Sequence, residues 1–472
     1  MNPWFSILPP LITIALAIWS KRILPSLLVG LLAGGYLLRP TLAGGFESAV
    51  DKIVATLTDK DNLQVLLFLY LFSGLIGIIK HSGGIKAFSD QAGKHIKSEK
   101  GVLLTLWALI PVTFIDCGFR IVGAGSITRS LADKHGVSRE RLAFMLNNTA
   151  SPVVELIPIA TTYVGFNVAI IGQGLKLAAV DDSVSAYAIW LRAIPLEFFS
   201  IVVLLITFLS IFFRFKQPAQ GSMDAHSGMS AGGMHMPEEA AKPMIKPRVR
   251  NLIFPMVSVV ALSLFFFWYF GSAEAKRISV FAAIADSEPN RAMLVSLVIT
   301  LTATVLYYCF QKYPLKQQTA DIISGGNEIM TTLAILSVAW PLAAVAQDLG
   351  LNDLVQQQLG SSLPAWGVPV SLFLLSSAVT YFTGSGWGAA SLIMPFAIPL
   401  AVTVHAGIPL CVAAVITGGT FGDITSPVAG MVNMSSNIAH ADHGKYMALA
   451  ARHNFIAAGI ATLLFGIVGF LQ

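Results

Sequence analysis

Charge is scarce in this sequence. Only 12% of its 472 residues are Asp, Glu, Lys or Arg, where a soluble globular protein carries about 25%. That shortage excludes a surface covered by water. With 55% hydrophobic residues and a mean hydropathy of +0.72, much of the outside must face lipid. Cysteine is scarcer still. Cys117, Cys309 and Cys411 stand apart in apolar context without a CxxC pair, which removes a disulfide framework and a zinc site. His81, His135, His405, His440 and His443 lie near segment ends and show no ligand spacing. There is no HExxH pair and no Walker-type loop, so an intramembrane metalloenzyme and an ATP-driven pump lack their chemistry. The net charge of +5 does not point to nucleic acid, because the basic residues fall in short loops.

What is present is long apolar runs. The length suits roughly ten to twelve spanning segments of about 20 residues each. Clear spans are expected over 3–20, 23–39, 62–80, 194–213, 250–270, 291–311, 326–346 and 454–471. The N-terminus is apolar from Trp4 and reads as an uncleaved first helix. Two further apolar stretches, 101–172 and 364–436, are interrupted by Gly, Pro and polar residues. Irregular backbone at membrane depth survives only where protein or water satisfies its polar groups.

Segment 215–250 divides the chain near its midpoint, and its part 221–236 is low in complexity. Its Met and His side chains suit soft metals such as Cu(I), but the composition reads as a disordered linker. The domains are therefore expected as 1–214, a linker 215–250, and 251–472. Lys21 and Arg22, the lysines from Lys80 to Lys100 and the basic residues flanking the linker belong on the cytoplasmic side. No Lys or Arg occurs between Lys316 and Lys445, so the polar segment 347–363 is expected outside. If each broken stretch holds one re-entrant hairpin and one crossing, each half crosses five times. The linker then lies inside and both termini outside. Halves with odd numbers of crossings are antiparallel, the arithmetic of an inverted repeat. Asn147–Val153 and Gly422–Val428 share Ser-Pro-Val in the corresponding broken stretch of each half, a trace of that repeat. The expected fold is an all-α polytopic membrane protein of two inverted repeats with re-entrant hairpins and broken helices.

Four polar patches interrupt the apolar stretches. They are Phe114–Arg120, with Asp116 and Arg120; Asn147, Asn148, Thr149, Ser151 and Pro152, with Glu155; Thr383–Gly388, with Ser385 and Trp387; and Gly418–Pro427, with Asp423, Thr425 and Ser426, continuing to Asn433. Pro removes a backbone donor and Gly weakens a helix, so these helices should break in mid-membrane. Broken N-terminal ends suit anions, and freed carbonyls suit Na⁺. Asp423 is the leading ion-binding residue, because a carboxylate at membrane depth costs about 2.5–3.5 kcal/mol on insertion scales. Asp423, Thr425 and Asn148 are the expected Na⁺ ligands. Asp116 and Arg120, four apart, can pair on one helical face; alternatively Arg120 receives an anionic cargo. Hydroxyls such as Thr383 can also bond back to their own helix. Arg192 and Glu197 read as interfacial anchors.

On Ser82–Ile85, Ser138–Ala143, Thr149–Pro152, Gly384–Gly388, Gly422–Pro427 and Ser435-Ser436, nearly the whole chain resembles the NhaC-type Na⁺/H⁺ antiporter family of the ion transporter superfamily. The resemblance implies inverted repeats, re-entrant hairpins and cation-coupled exchange, and dimers are common in that superfamily. Departures are evident. The family usually has two adjacent acids and a Tyr where this chain has Asp116, Cys117 and Gly118. It has Asp-Ser-Thr at Asn147–Thr149, and Ser-Asp-Thr-Thr at Ala429–Val432. Three carboxylates of the resembled site are missing, and Arg120 and Glu155 look like additions.

The function expected is secondary active transport by alternating access in a bacterial inner membrane, with Na⁺ or H⁺ as the coupling ion and no cofactor. Na⁺/H⁺ antiport is the first reading. The second is Na⁺- or H⁺-coupled transport of a small organic acid or amino acid. A channel would need a continuous pore, which nothing here requires. Partners are the bilayer and a small cargo, with a homodimer by analogy.

Overall fold

The computed structural model describes residues 3–92, 96, 98–159, 161–181, 184–212, 244–275, 289–354 and 364–472. Among them all regular structure is helical. The first half contains α1 (Leu8–Ser20), α2 (Ile23–Leu38), α3 (Leu42–Leu57), α4 (Lys60–His81), α5 (Gly84–Ala92), α6 (Glu99–Ala108), α7 (Ile110–Thr113), α8 (Cys117–Lys134), α9 (Arg139–Asn148), α10 (Ser151–Glu155), α11 (Thr162–Leu177), α12 (Ala186–Ala193) and α13 (Phe198–Leu209). The second contains α14 (Arg250–Ala275), α15 (Pro289–Phe310), α16 (Leu315–Glu328), α17 (Met330–Asp348), α18 (Leu351–Leu354), α19 (Gly367–Thr383), α20 (Gly386–Thr403), α21 (Ile408–Thr425), α22 (Gly430–Ala439) and α23 (His443–Leu471).

Among the described residues, 7 helices are long and apolar enough to span a bilayer, and 9 if each bent pair counts as one. The protein is thus a polytopic helical membrane protein. Most of the linker expected at 215–250 lies outside the described residues. Its last part is described: Met244 N–H donates to His81 O (3.0 Å), and Arg250 already begins α14. Residues 355–363 of the expected outer segment also lie outside the described residues.

Several expected spans differ in detail. The run 194–213 is the second arm of a bent helix, Ala186–Leu196 followed by Phe198–Leu209, turned by 42°. Pro195 explains the bend, since it cannot donate to Leu191 O. The last span begins at His443 rather than 454. The hydropathy reading passed over α3 and α16, whose polar faces dilute their apolar ones.

The two halves interlock reciprocally. α4 packs on α15 and α16, while α17 packs on α2 and α3. α8 packs on α22, while α20 packs on α11. Ion pairs follow the same exchange: Lys80 meets Glu328 (2.7 Å) between α4 and α16, and Lys52 meets Asp348 (2.5 Å) between α3 and α17. Small residues allow the close approach of α4 and α16, as is usual where helices meet in lipid. A Cβ on Gly77 would fall 2.8 Å from Gly325 Cα.

Candidate functional site

Four helix interruptions converge. The first lies at Phe114–Asp116. Asp116 caps α8 by accepting the Phe119 N–H (3.0 Å), and Thr162 at the start of α11 donates to its other oxygen (3.1 Å). The second lies at Thr149-Ala150, where α9 stops and α10 restarts with Pro152 in its first turn. The third is Gly384-Ser385. Gly384 takes φ +70°, and Ser385 caps α20 by accepting the Gly388 N–H (3.1 Å). The fourth is Ser426–Ala429, where Pro427 holds Ser426 extended (φ −73°, ψ 129°) and ends α21. The two Ser-Pro pairs therefore act in different registers. Pro152 starts a helix, and Pro427 stops one.

The fourth break frees a carbonyl. In an unbroken helix Ile424 O would accept from Val428 N–H, but that N–H turns to Ser426 Oγ (3.3 Å). Ile424 O accepts instead from Asn147 Nδ2 (2.9 Å) and Asn454 Nδ2 (3.1 Å). Asn454 also donates to Thr425 Oγ1 (3.1 Å) and accepts from Asn148 Nδ2 (2.7 Å), which reaches Thr207 as well (3.4 Å). Asn454, from α23, was missed by the sequence reading. It follows Arg452 and His453 near the start of a long apolar helix, where the run reads as the polar end of a span.

Asp423 faces the other way. Its Oδ1 accepts the Gly386 N–H (2.8 Å), and the Tyr163 hydroxyl lies 3.5 Å from Oδ2. It lines a small cavity between α11, α20 and α21, together with Tyr163, Asn167, Trp387 and Thr420. The space open to the centre of a water-sized sphere is about 10 Å³, at the lower limit of what a single water needs. Trp387 forms one wall, packed on Phe166 (4.5 Å) and edge-on to Tyr163 (5.2 Å). Asn167 Nδ2 is buried without a partner among the described residues. The Ser151 hydroxyl sits beside Cys117 and Tyr163 without a well-formed hydrogen bond.

Glu155 is fully buried. Ser200 donates to its Oε2 (2.6 Å) and Thr420 to its Oε1 (2.6 Å), so it joins α10, α13 and α21.

Three expectations need correction. Asp423, Thr425 and Asn148 do not form one ligand set. Residues two apart on a helix point to nearly opposite faces, so Thr425 joins Asn148 and Asn454 while Asp423 faces the cavity. Arg120 does not pair with Asp116. It is fully buried, and donates from Nε to Thr149 O (2.5 Å), from one terminal nitrogen to Thr113 (2.8 Å), and from the other to Leu106 O (3.1 Å) and Thr149 Oγ1 (2.8 Å). It clamps the second break to α6 and α7, and its donors are spent on those partners. Glu197 is not an interfacial anchor. It is fully buried at the α12–α13 bend, whereas Arg192 is exposed.

The remaining residues act locally. Thr383 bonds back to Val379 O (2.8 Å), Ser426 donates to Tyr381 O (2.5 Å), and Asn433 bonds back to Ala429 O (3.1 Å). Among the described residues no group of three His, Cys, Asp or Glu side chains could hold a metal ion.

Paired hairpins and broken helices around a buried carboxylate define a secondary transporter of the helical membrane class. Residues 153–470 match the model of the Na⁺/H⁺ antiporter family, and the chain belongs to that family. An uncharacterized protein of Haemophilus influenzae is 27% identical over 480 residues, covering 99% of this chain and 91% of the relative. Two solved structures share the fold. The Alcanivorax borkumensis YdaH transporter, described as having an unusual topology, aligns with a TM-score of 0.56 at 15% identity, over 90% of this chain and 89% of that one. Neisseria gonorrhoeae MtrF, described with a class of antimetabolite efflux pumps, aligns with a TM-score of 0.59 at 14% identity, over 90% and 84%.

Proposed function

We propose that this transporter exchanges Na⁺ for H⁺ by alternating access, with the two ions competing for Asp423. The observation that carries this reading is the Asp423 carboxylate, 7% exposed, at a small cavity walled by both halves. The Gly386 N–H steadies the charge, and one carboxyl oxygen is left to a weak 3.5 Å contact with Tyr163. An ion there would meet the Asp423 carboxylate and the Tyr163 and Thr420 hydroxyls, which line the cavity. Oxygen-only sites of this kind suit hard cations.

The reciprocal packing supports an antiparallel pair of halves, 1–214 and 251–472, joined by the linker 215–250. The charge pattern supports a cytoplasmic linker, external termini and residence in a bacterial inner membrane. The organic-acid reading loses ground, because Arg120 spends its donors on the backbone and on Thr113 and Thr149.

The test is Na⁺-driven proton movement in proteoliposomes, followed with an internal pH dye. Asp423→Asn should abolish it with the protein still folded and inserted. Persistence of Na⁺-driven proton movement in that variant would refute the proposed role of Asp423.

A further inference from the structure

Glu197 sits at the 42° bend between the arms Ala186–Leu196 and Phe198–Leu209, about midway along that apolar pair. It is fully buried, and neither carboxyl oxygen has a hydrogen-bond partner among the described residues. A structural acid at such a position would cap α13 by accepting its free amides, but Glu197 makes no side-chain cap bond. No described basic side chain pairs with it either.

Its surroundings connect it to the cavity. One turn on, Ser200 holds Glu155 from α13; Thr420, one turn before Asp423, holds the same carboxyl from α21. Glu155 is thus tied to the helix of Asp423 through Thr420 and to the helix that follows Glu197 through Ser200. On the elements packed around the bend the other titratable groups are Tyr187 and Arg192 (α12), Tyr163 and Lys176 (α11), Cys411 (α21), Arg139, Glu140 and Arg141 (α9), and His443, Lys445, Tyr446, Arg452 and His453 (α23). None donates a hydrogen bond to Glu197 among the described residues. An ionised carboxylate without a donor is not tolerated in such a place, whereas the neutral acid is.

We propose that Glu197 is a second proton site of the transport cycle, separate from the cation-facing Asp423. When the α12–α13 bend opens to water, a carboxylate oxygen of Glu197 takes one proton and forms an O–H bond. In the conformation described, that proton is occluded. Release returns the proton to water on the side then open, so no other reactant is needed. The transport role rests on the exchange reading above, but the proton site itself does not.

The test has two readouts on full-length protein in lipid. The first is pH-jump difference infrared spectroscopy, which detects the C=O stretch of a carboxylic acid without hydrogen bonds. Glu197→Gln should lose this band, and Glu197→Asp should retain one at a shifted frequency. The second is the pH profile of Na⁺-driven exchange. Glu197→Gln should displace its midpoint by about one unit, a tenfold change in proton affinity, while Na⁺-induced thermal stabilisation stays within about twofold of wild type in apparent affinity. A band that survives in Glu197→Gln overturns the proposal, and so does an unchanged pH profile, whatever the band does. If Glu197→Gln does not fold, loss of the acid band in Glu197→Asp overturns it as well. Asp423→Asn, run alongside, reports on the exchange reading independently, because its failure would leave the infrared band of Glu197 in place.

Discussion

Asp423 accepts the backbone N–H of Gly386 at 2.8 Å, and a Cβ on Gly386 would lie 2.7 Å from Asp423 Oδ2 and 2.9 Å from Gly419 O. The absence of a side chain is thus what lets the start of α20 reach the carboxylate. Gly386→Ala must push backbone apart. It should lower Na⁺-driven exchange about tenfold, the equivalent of one hydrogen bond to a charged group, while thermal unfolding shifts only modestly. Wild-type rates in reconstituted vesicles would show that the contact is dispensable.

Arg120 should behave as a structural clamp. Lys cannot span the three directions occupied by a guanidinium. Arg120→Lys should cost about 3 kcal/mol of stability, because buried acceptors lose charged donors. The loss should appear in thermal melts without ligand, and exchange should fall for every cargo tested. A variant of normal stability that fails only with anionic solutes would restore the anion-receiving role.

The Glu155 bridge should respond at both ends. Thr420→Val and Ser200→Ala each remove one hydroxyl donor from a buried carboxyl and should cost about 1.5–3 kcal/mol. The double variant should depart from additivity, because both donors serve one group. Additive melting shifts would mean that the two bonds are independent.

The contacts between halves divide into strong and weak. A double-mutant cycle on Lys80 and Glu328 should give about 0.2–1 kcal/mol, as exposed pairs do, and less at high salt. Gly77→Leu should be far worse, since a Cβ there already runs into Asp321 O and the Gly325 backbone. Monodispersity in size-exclusion chromatography would separate the two.

Cargo choice can be read from stability. A ligand at 100 times its Kd raises native-state stability by about 2.7 kcal/mol. Na⁺ or Li⁺ should raise the Tm, and amino acids or small carboxylates should not. The reverse result would favour the organic-solute reading.

The membrane class, the helical breaks and the burial of Asp423 were legible in the sequence because each rests on local chemistry. Hydrophobic content decides what faces lipid. Pro427 holds Ser426 extended wherever the segment lies, and a carboxylate amid apolar neighbours signals its own cost. The paired Ser-Pro segments aligned Asn148 with Asp423, and the structure shows why the likeness is incomplete. Asp423 opens on the cavity, whereas Asn148 is sealed by Asn454 and Thr207.

What tertiary structure alone decided is which partner each polar group meets. Arg120 and Asp116 have the spacing of an ion pair, yet Thr149, 29 residues further on, takes two of the guanidinium bonds. Glu197 has the setting of a surface anchor, yet the packing of α13 on α10 and α21 buries it. Helical periodicity tells which residues share a face. It does not tell which helix of the other half will cover that face, and at this site the covering helix determines which partners, if any, each acid meets.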